Sequence, residues 1–414
     1  MKRRTAFVLS GIGLAVAACF TGVFRFLQQP KFGAVPNSFE SFKNCSHFYD
    51  GIFRNTLPTP VLTDNSTFIE AFARSLVTDK IDPAPSTALP SAKVDLKQLR
   101  LDIDTIIWLG HSSFYIQLAG KRILIDPVLS PYASPVSFST KAFEGTTPYR
   151  PADFPTIDLL VISHDHWDHL DYPTVMALKG KIHHIVCPLG TDSHFLRWGF
   201  KKETLHALDW NKTLKLSNNL AIHALEARHY SGRNLNQNKS FWASYLLQSK
   251  NYKIFFSGDS GYSPHFKEIG NRFAPIDLVL LDSGQYNDRW RYIHMNPDEA
   301  LQAAQDLKAL NFLPAHIGKF SLSMHPWYEP FVWLTQKATQ ANVRLITPEI
   351  GQPLQLSKRI HAQTQWWTVA MQKQKTNKVK IFTRKLDISI LKGIQCSPSL
   401  DDRGVEQSGS SSGS

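Results

Sequence analysis

The chain has 414 residues, 43% of them hydrophobic, enough to bury a sizeable core in one globular domain of about 250 residues with extensions. Lys and Arg outnumber Asp and Glu 46 to 34, a formal charge of +12 that suits anionic partners. Cys19, Cys45, Cys187 and Cys396 show no paired spacing, which argues against a disulfide framework and against a thiolate metal site. Residues 1–29 hold an uncharged run from Thr5 to Phe24 behind Lys2-Arg3-Arg4. As a helix rising about 1.5 Å per residue the run would reach about 30 Å, a bilayer core. It reads as a membrane anchor or uncleaved signal, with the basic cluster keeping the N-terminus cytoplasmic and the main domain on the non-cytoplasmic side, the periplasm in a bacterium. A cleaved signal peptide and a lipoprotein signal ending Val16-Ala17-Ala18-Cys19 are the rival readings. Residues 30–95 carry Pro30, Pro36, Pro58, Pro60, Pro83, Pro85 and Pro90 among Ser, Thr and Asn and read as an extended tether or wrap. Phe39, Phe42, Phe48, Tyr49 and Phe53 indicate that part of it packs on the main domain.

In the main domain, residues 96–357, apolar strand candidates recur at 106–109, 123–125, 159–162, 185–187, 221–225, 254–256, 278–281 and 312–313. Helices fall between several of them, which gives an α/β class. The clearest helix begins with Asn296 as N-cap, Pro297 at the first helical position and Glu299 closing a capping box. The run Leu159-Leu160-Val161-Ile162-Ser163 leads into His164, His166, Asp168 and His169, four potential ligands within six positions on a strand-to-helix turn. A structural zinc site closes itself with four ligands, usually thiolate-rich, whereas four ligands divided between two ions leave both open for catalysis. A surface turn rich in His and Asp is the bland alternative. Two coordination shells need further ligands at other strand ends, and the chain supplies His229 after 221–225, Asp259 in Ser257-Gly258-Asp259-Ser260-Gly261, and His316 after Phe312-Leu313-Pro314-Ala315. Rigid strands aim side chains better than long loops do. Asp165 and Asp171 read either as partners that fix imidazole tautomers or as solvated turn carboxylates.

Lys358-Arg359 and the lysines from Lys373 to Lys392 make residues 358–396 a basic extension, and 397–414 is a Ser/Gly tail expected to be disordered. Beside an anchor such charge favours anionic lipid headgroups, at about 1 kcal/mol per well-placed cation. A generic solubility bias explains it equally well. Nucleic acid is a third candidate partner, and the anchor argues against it.

Further runs carry a resemblance: Trp108-Leu109-Gly110-His111, Ile125-Asp126-Pro127, Gly258-Asp259-Ser260-Gly261-Tyr262, Phe266-Lys267-Glu268-Ile269-Gly270, Arg289-Trp290, His294 with Pro297-Asp298-Glu299-Ala300, and His316-Ile317-Gly318-Lys319-Phe320. Over about residues 100–350 the chain resembles the metallo-β-lactamase superfamily, and more narrowly the N-acyl-phosphatidylethanolamine-hydrolysing phospholipase D family. The resemblance implies an αββα metallo-β-lactamase sandwich with the metals at one edge, and two Zn2+ per chain. It implies one ion on His164, His166 and His229, the other on Asp168, His169 and His316, and Asp259 as a bridge. It places Asp168, Asp259 and His294 in the catalytic machinery, His294 as an acid or orienting group near the leaving group. His111, Gln285 and Tyr286 are expected to contact substrate, with a buried structural role as the alternative for His111. Two stretches depart from the family pattern, Asp282-Ser283-Gly284-Gln285-Tyr286 and Tyr230-Ser231-Gly232-Arg233. Both are expected to line the substrate pocket and so bear on the particular lipid.

The implied activity is that of a membrane-associated, zinc-dependent phosphodiesterase that hydrolyses a phospholipid in the phospholipase D sense. Zinc lowers the pKa of bound water from about 15.7 to about 7, which supplies hydroxide at neutral pH. A lactonase or nuclease on the same scaffold, and a membrane-tethered metal-binding protein without turnover, are the alternatives. The expected partners are the phospholipid and the membrane, with no nucleic acid.

Overall fold

Alternate residues of a strand face opposite sides of its sheet, and in this chain both sides are apolar. In β3 (Thr105–Trp108), Ile106 and Trp108 join one buried cluster and Ile107 another. In β6 (Ile157–Val161), Leu159 and Val161 divide from Ile157 and Leu160 in the same way. Strands covered on both faces read as continuous apolar runs, which is why these segments show no clean polar alternation. The computed structural model describes Cys19 and residues 21–376, apart from 65, 68–69, 71–72, 75–76, 234–235, 358 and 361–363.

Two sheets result. The first has seven strands: β3, β4 (Phe114–Leu118), β5 (Lys121–Ile125), β6, β7 (Ile182–Pro188), β8 (Leu205–Leu208) and β15 (Pro353–Gln355), in the order β15-β3-β4-β5-β6-β7-β8. The second has six: β9 (Thr213–Ser217), β10 (Leu220–Leu225), β11 (Ser244–Ser249), β12 (Lys253–Phe256), β13 (Leu278–Asp282) and β14 (Phe312–Ala315), in the order β14-β13-β12-β11-β10-β9. Each sheet is mixed, antiparallel through its hairpins and parallel from β5 to β8 and from β12 to β14. Their facing sides share one core, with Phe114, Ile116, Ile123 and Val161 opposite Tyr245, Leu247, Ile254 and Phe256. The outer side of the first sheet packs on α1 (Tyr172–Leu178) and α2 (Asp192–Arg197) through Val175, Leu178 and Phe195. The outer side of the second packs on α3 (His265–Phe273), α4 (Pro297–Asp306) and α5 (Glu329–Ala338). Layering is therefore αββα. α4 starts as its sequence predicts: Asn296 accepts from the Glu299 amide at 3.0 Å and Glu299 accepts from the Asn296 amide at 3.0 Å.

Residues 30–95 do more than tether. The hairpin of β1 (Phe48–Tyr49) and β2 (Ile52–Phe53) lays Phe53 on Phe241, ring centroids 4.7 Å apart, and Phe42, Phe53 and Leu89 belong to the central core. The boundary expected at 357 also moves outward. Residues 367–376 are helical, and Trp366 and Trp367 are buried against Phe331 at 5.0 and 4.8 Å. Isolated tryptophans in a basic context give no periodic signal of this contact. The anchor expectation rests on residues 5–24, of which only Cys19 and residues 21–24 are described; among the described residues no helix is long and apolar enough to cross a membrane. Most of the basic extension and the whole tail lie outside the described residues.

Candidate metal centre

The ligand candidates sit where strands of both sheets end at one edge. β6 runs out before His164, His166, Asp168 and His169, β10 before His229, β12 before Asp259 and β14 immediately before His316. The structure brings all seven together. In one group His166 Nδ1 lies 2.9 Å from His164 Nε2 and 3.2 Å from His229 Nε2, with Asp259 Oδ2 3.7 Å from both His164 and His229. In the other, Asp168 Oδ2 lies 3.1 Å from His316 Nε2 and 3.5 Å from His169 Nε2. Asp259 faces both groups: Oδ1 is 3.0 Å from His169 Nε2, and Oδ2 is 3.4 Å from His316 Nε2.

Hydrogen bonds behind the rings set which nitrogen is available. His229 donates Nδ1–H to the Ile293 carbonyl at 2.9 Å, which leaves a lone pair on Nε2. Nδ1 of His169 is 2.7 Å from the Asp126 carboxylate and Nδ1 of His316 is 3.3 Å from Asp282, so both rings also turn Nε2 to the centre. Asp126 is fixed in turn by the amide and hydroxyl of Ser163. His169 Nε2 and Asp259 Oδ1 are buried and make no hydrogen bond. The two lie 3.0 Å apart without the alignment of a hydrogen bond, and a cation held by both would satisfy them. The charges point the same way. Burial works against ionised Asp168 and Asp259, but the neighbouring histidines outweigh it and hold both carboxyls well below their usual range. Burial likewise opposes protonated His316, but Asp259 and Asp282 outweigh it and push its pKa up to about 10. Burial and mutual repulsion drive His164 and His229 towards the neutral, lone-pair form. Burial also opposes protonated His169, but Asp259 and Asp168 outweigh it and raise its pKa. The carboxylates thus draw positive charge to this side, which a metal cation would supply in place of the two protons. Imidazole nitrogens with carboxylate oxygens make a donor set that suits zinc, manganese or iron.

Above the centre lies a cavity of about 500 Å³. Its floor includes His166, Asp168, Asp259 and His316, and its walls are largely apolar: Val61, Leu62, Trp167, Trp290, Ile293 and Leu322. His294 reaches this cavity with Nδ1 2.8 Å from Asp282 Oδ2 and its ring stacked on His316 at 4.8 Å. Of the three residues expected at the substrate, only Gln285 lines the cavity, and its amide is spent on the 316–323 segment, bonding the carbonyl of Phe320 and the amides of Leu322 and Ser323. Tyr286 donates to Glu329 at 2.6 Å and stacks on His325. His111 is fully buried, with Nε2 2.9 Å from Asp168 Oδ2, and clusters with Asp168, His169 and His316 as a further possible donor instead of lining the cavity. Asp165 and Asp171 do not fix ligand tautomers. Asp165 accepts from Ser240 and from the Gly232 amide and pairs with His194, and Asp171 binds Ser130 and Thr174. Asp126 and Asp282 hold that role; Asp126 ends the apolar run 123–125, so the same strand-end rule that finds the ligands would have found it.

Backbone strain gathers here. His111, Asp126, Gln285 and His316 all have positive φ, between 39° and 62°, a conformation worth about 1–3 kcal/mol of strain in a non-glycine residue. His111 and His316 are held in it by each other, through the bridge that pairs the His111 amide with the Ile317 carbonyl at 3.0 Å and the His316 amide with the His111 carbonyl at 3.2 Å. Gly284 lets this turn close, since a Cβ there would lie 2.5 Å from the His316 carbonyl oxygen.

Residues 121–317 match the beta-lactamase superfamily domain. An uncharacterised protein of Mycobacterium tuberculosis is 34% identical over 78% of this chain and 87% of its own length. The mitochondrial N-acyl-phosphatidylethanolamine-hydrolysing phospholipase D of Saccharomyces cerevisiae is 34% identical over 66% of this chain and 62% of its own length. Among solved structures, the isothiocyanate hydrolase from Delia radicum gut bacteria shares the fold, with a TM-score of 0.50 and 19% identity over 62% of this chain and 100% of that one. Strand ends, ligand groups and relatives agree: the chain belongs to the metallo-β-lactamase superfamily, and N-acyl-phosphatidylethanolamine-hydrolysing phospholipase D proteins are among its homologues.

Proposed function

We propose that the protein is a zinc-dependent phosphodiesterase that hydrolyses a membrane phospholipid of the N-acyl-phosphatidylethanolamine kind, releasing phosphatidic acid and an N-acylethanolamine. The observation that carries this reading is the union of a histidine and carboxylate centre, built of three overlapping groups of possible ligands, with an apolar-walled cavity directly above it. The yeast homologue's name supports the substrate class. His164, His166 and His229 would hold one ion and Asp168, His169 and His316 the other, with Asp259 between. When bound, two such ions acidify water and neutralise charge on the phosphodiester.

The chain's own residues supply the rest. Val61, Leu62, Trp290, Ile293 and Leu322 exclude water and seat acyl chain, at about 25 cal/mol per Å² of apolar surface covered. Asp282 accepts from His294 Nδ1, which leaves the Nε2 lone pair free of any partner among the described residues and able to take a proton from water and hand it to the departing alcohol oxygen. Asp126 and His111 hold His169 and Asp168 in place, so little reorganisation is needed as charge develops.

The test is hydrolysis of N-acyl-phosphatidylethanolamine in mixed micelles, with and without chelator, alongside metal analysis. Two zinc ions per chain and chelator-sensitive release of N-acylethanolamine are expected. Bound metal without lipid turnover would move the search to lactones and RNA.

A further inference from the structure

His229 lies beyond the end of β10, so no strand ladder holds its backbone. That backbone is buried with the residue and needs partners. Asn55, in the N-terminal wrap, provides them both. Its Nδ2 donates to the His229 carbonyl at 2.7 Å, and its Oδ1 accepts from the His229 amide at 3.1 Å. The same oxygen accepts from the Trp242 indole at 3.0 Å. A side-chain amide offers a donor and an acceptor on two separate atoms, as this clamp uses them; Asp lacks the donor and Ala lacks both. The neighbouring Arg228 is tied to the same segment, donating to Thr59 Oγ1 at 3.0 Å and to the Pro58 carbonyl at 2.9 Å. The wrap itself is seated independently, by Phe53 stacked on Phe241 and by the Phe53 amide donating to the Asn238 carbonyl at 2.9 Å.

We infer that Asn55 is a positioning residue for His229, and that retention of the ion at His164, His166 and His229 depends on this one amide. The imidazole has two anchors. Ile293 sets the ring's tautomer and Asn55 sets where the ring's backbone stands. Removing the second lets Nε2 drift from His166 and Asp259 without touching any ligand. Asn55 lies well outside residues 121–317, so part of the metal centre's affinity resides beyond the matched domain. The inference rests on the metal-binding reading of the centre and not on the lipid.

The experiment is competition of the full-length protein against a chromophoric chelator for Zn2+, repeated with Co2+ to follow ligand-field absorption. Wild type is expected to hold two equivalents. Asn55→Ala and the nearly isosteric Asn55→Asp should each bind one of the two about 10 to 100-fold more weakly, the range typical of partners behind metal ligands. Far-UV circular dichroism in excess metal should stay unchanged and the loss of affinity should be confined to one of the two equivalents, which separates a positioning role from a merely structural one. Trp242→Phe, which removes the indole donor and leaves the His229 clamp, should retain both equivalents. Two tight equivalents in both Asn55 variants would overturn the inference while leaving the centre intact. Failure of wild type itself to bind metal would overturn the reading of the centre, and the inference with it.

Discussion

Asp282 holds two histidines at once, His294 through Oδ2 and His316 through Oδ1, and also accepts from the Ser260 amide. Replacing it with Asn keeps the shape but turns a donor towards one ring, so turnover should fall by about 10 to 100-fold with a weaker second metal equivalent. Steady-state lipid hydrolysis and metal analysis check both halves of that statement. Asp259→Asn removes the carboxylate that faces both groups and should lower turnover by more than about 100-fold, beyond what outer partners achieve, with circular dichroism unchanged; full activity would sink the two-metal reading. Lys319 offers a test by pH. It is buried, donating to the Val128 carbonyl at 2.7 Å, and burial pushes its pKa down from 10.5 to about 7. The folded state therefore sheds this proton at lower pH than the unfolded chain. The cost of burying the charge is fully present below pH 7 and disappears as pH rises towards 10.5. Wild type should gain stability relative to Lys319→Met between pH 7 and 10, by up to about 1.4 kcal/mol per pH unit. Urea midpoints of the two proteins at pH 7, 8.5 and 10 measure it, and parallel curves would mean that the ammonium stays charged in both states.

Among the elements, the wrap and α4 carry opposite lessons. α4 was legible because its start is encoded within four consecutive residues, and Asn296→Ala should cost about 1 kcal/mol in denaturant unfolding. The clustering of the candidate ligands was legible for a related reason: an apolar run that stops at a His or Asp marks a strand end, and His229, Asp259 and His316 all follow such runs. Asn55 was not legible, because its value depends on a partner 174 positions away. Trp366 and Trp367 were missed likewise, since the ring they cover, Phe331, belongs to a helix of its own. Asp282 stood out in sequence only as a departure, and its use required knowing that β13 ends beside β14. The wrap also builds a cavity wall with Val61 and Leu62. Val61→Trp should fill part of the cavity and raise KM for long-chain substrate several-fold while changing kcat little for a short-chain analogue. A uniform loss on both would show that this wall does not select the acyl chain.

For the molecule as a whole, the centre ties the two sheets together, with Asp168 and His169 following a strand of one and Asp259 and His316 strands of the other. A bound ion adds about 2.7 kcal/mol at 100 times its Kd. Chelation should therefore lower Tm by several degrees, readable by calorimetry and reversed by added zinc. The wrap has a further consequence, in the order of synthesis. Asn55 is translated 174 residues before His229, and Phe53 before the Phe241 that receives it. At about 5–20 residues per second the nascent chain carries this apolar segment uncovered for about 10 to 35 s. Its seat does not exist until the second sheet is made, so the earliest part of the site to be synthesised is among the last to be put in place.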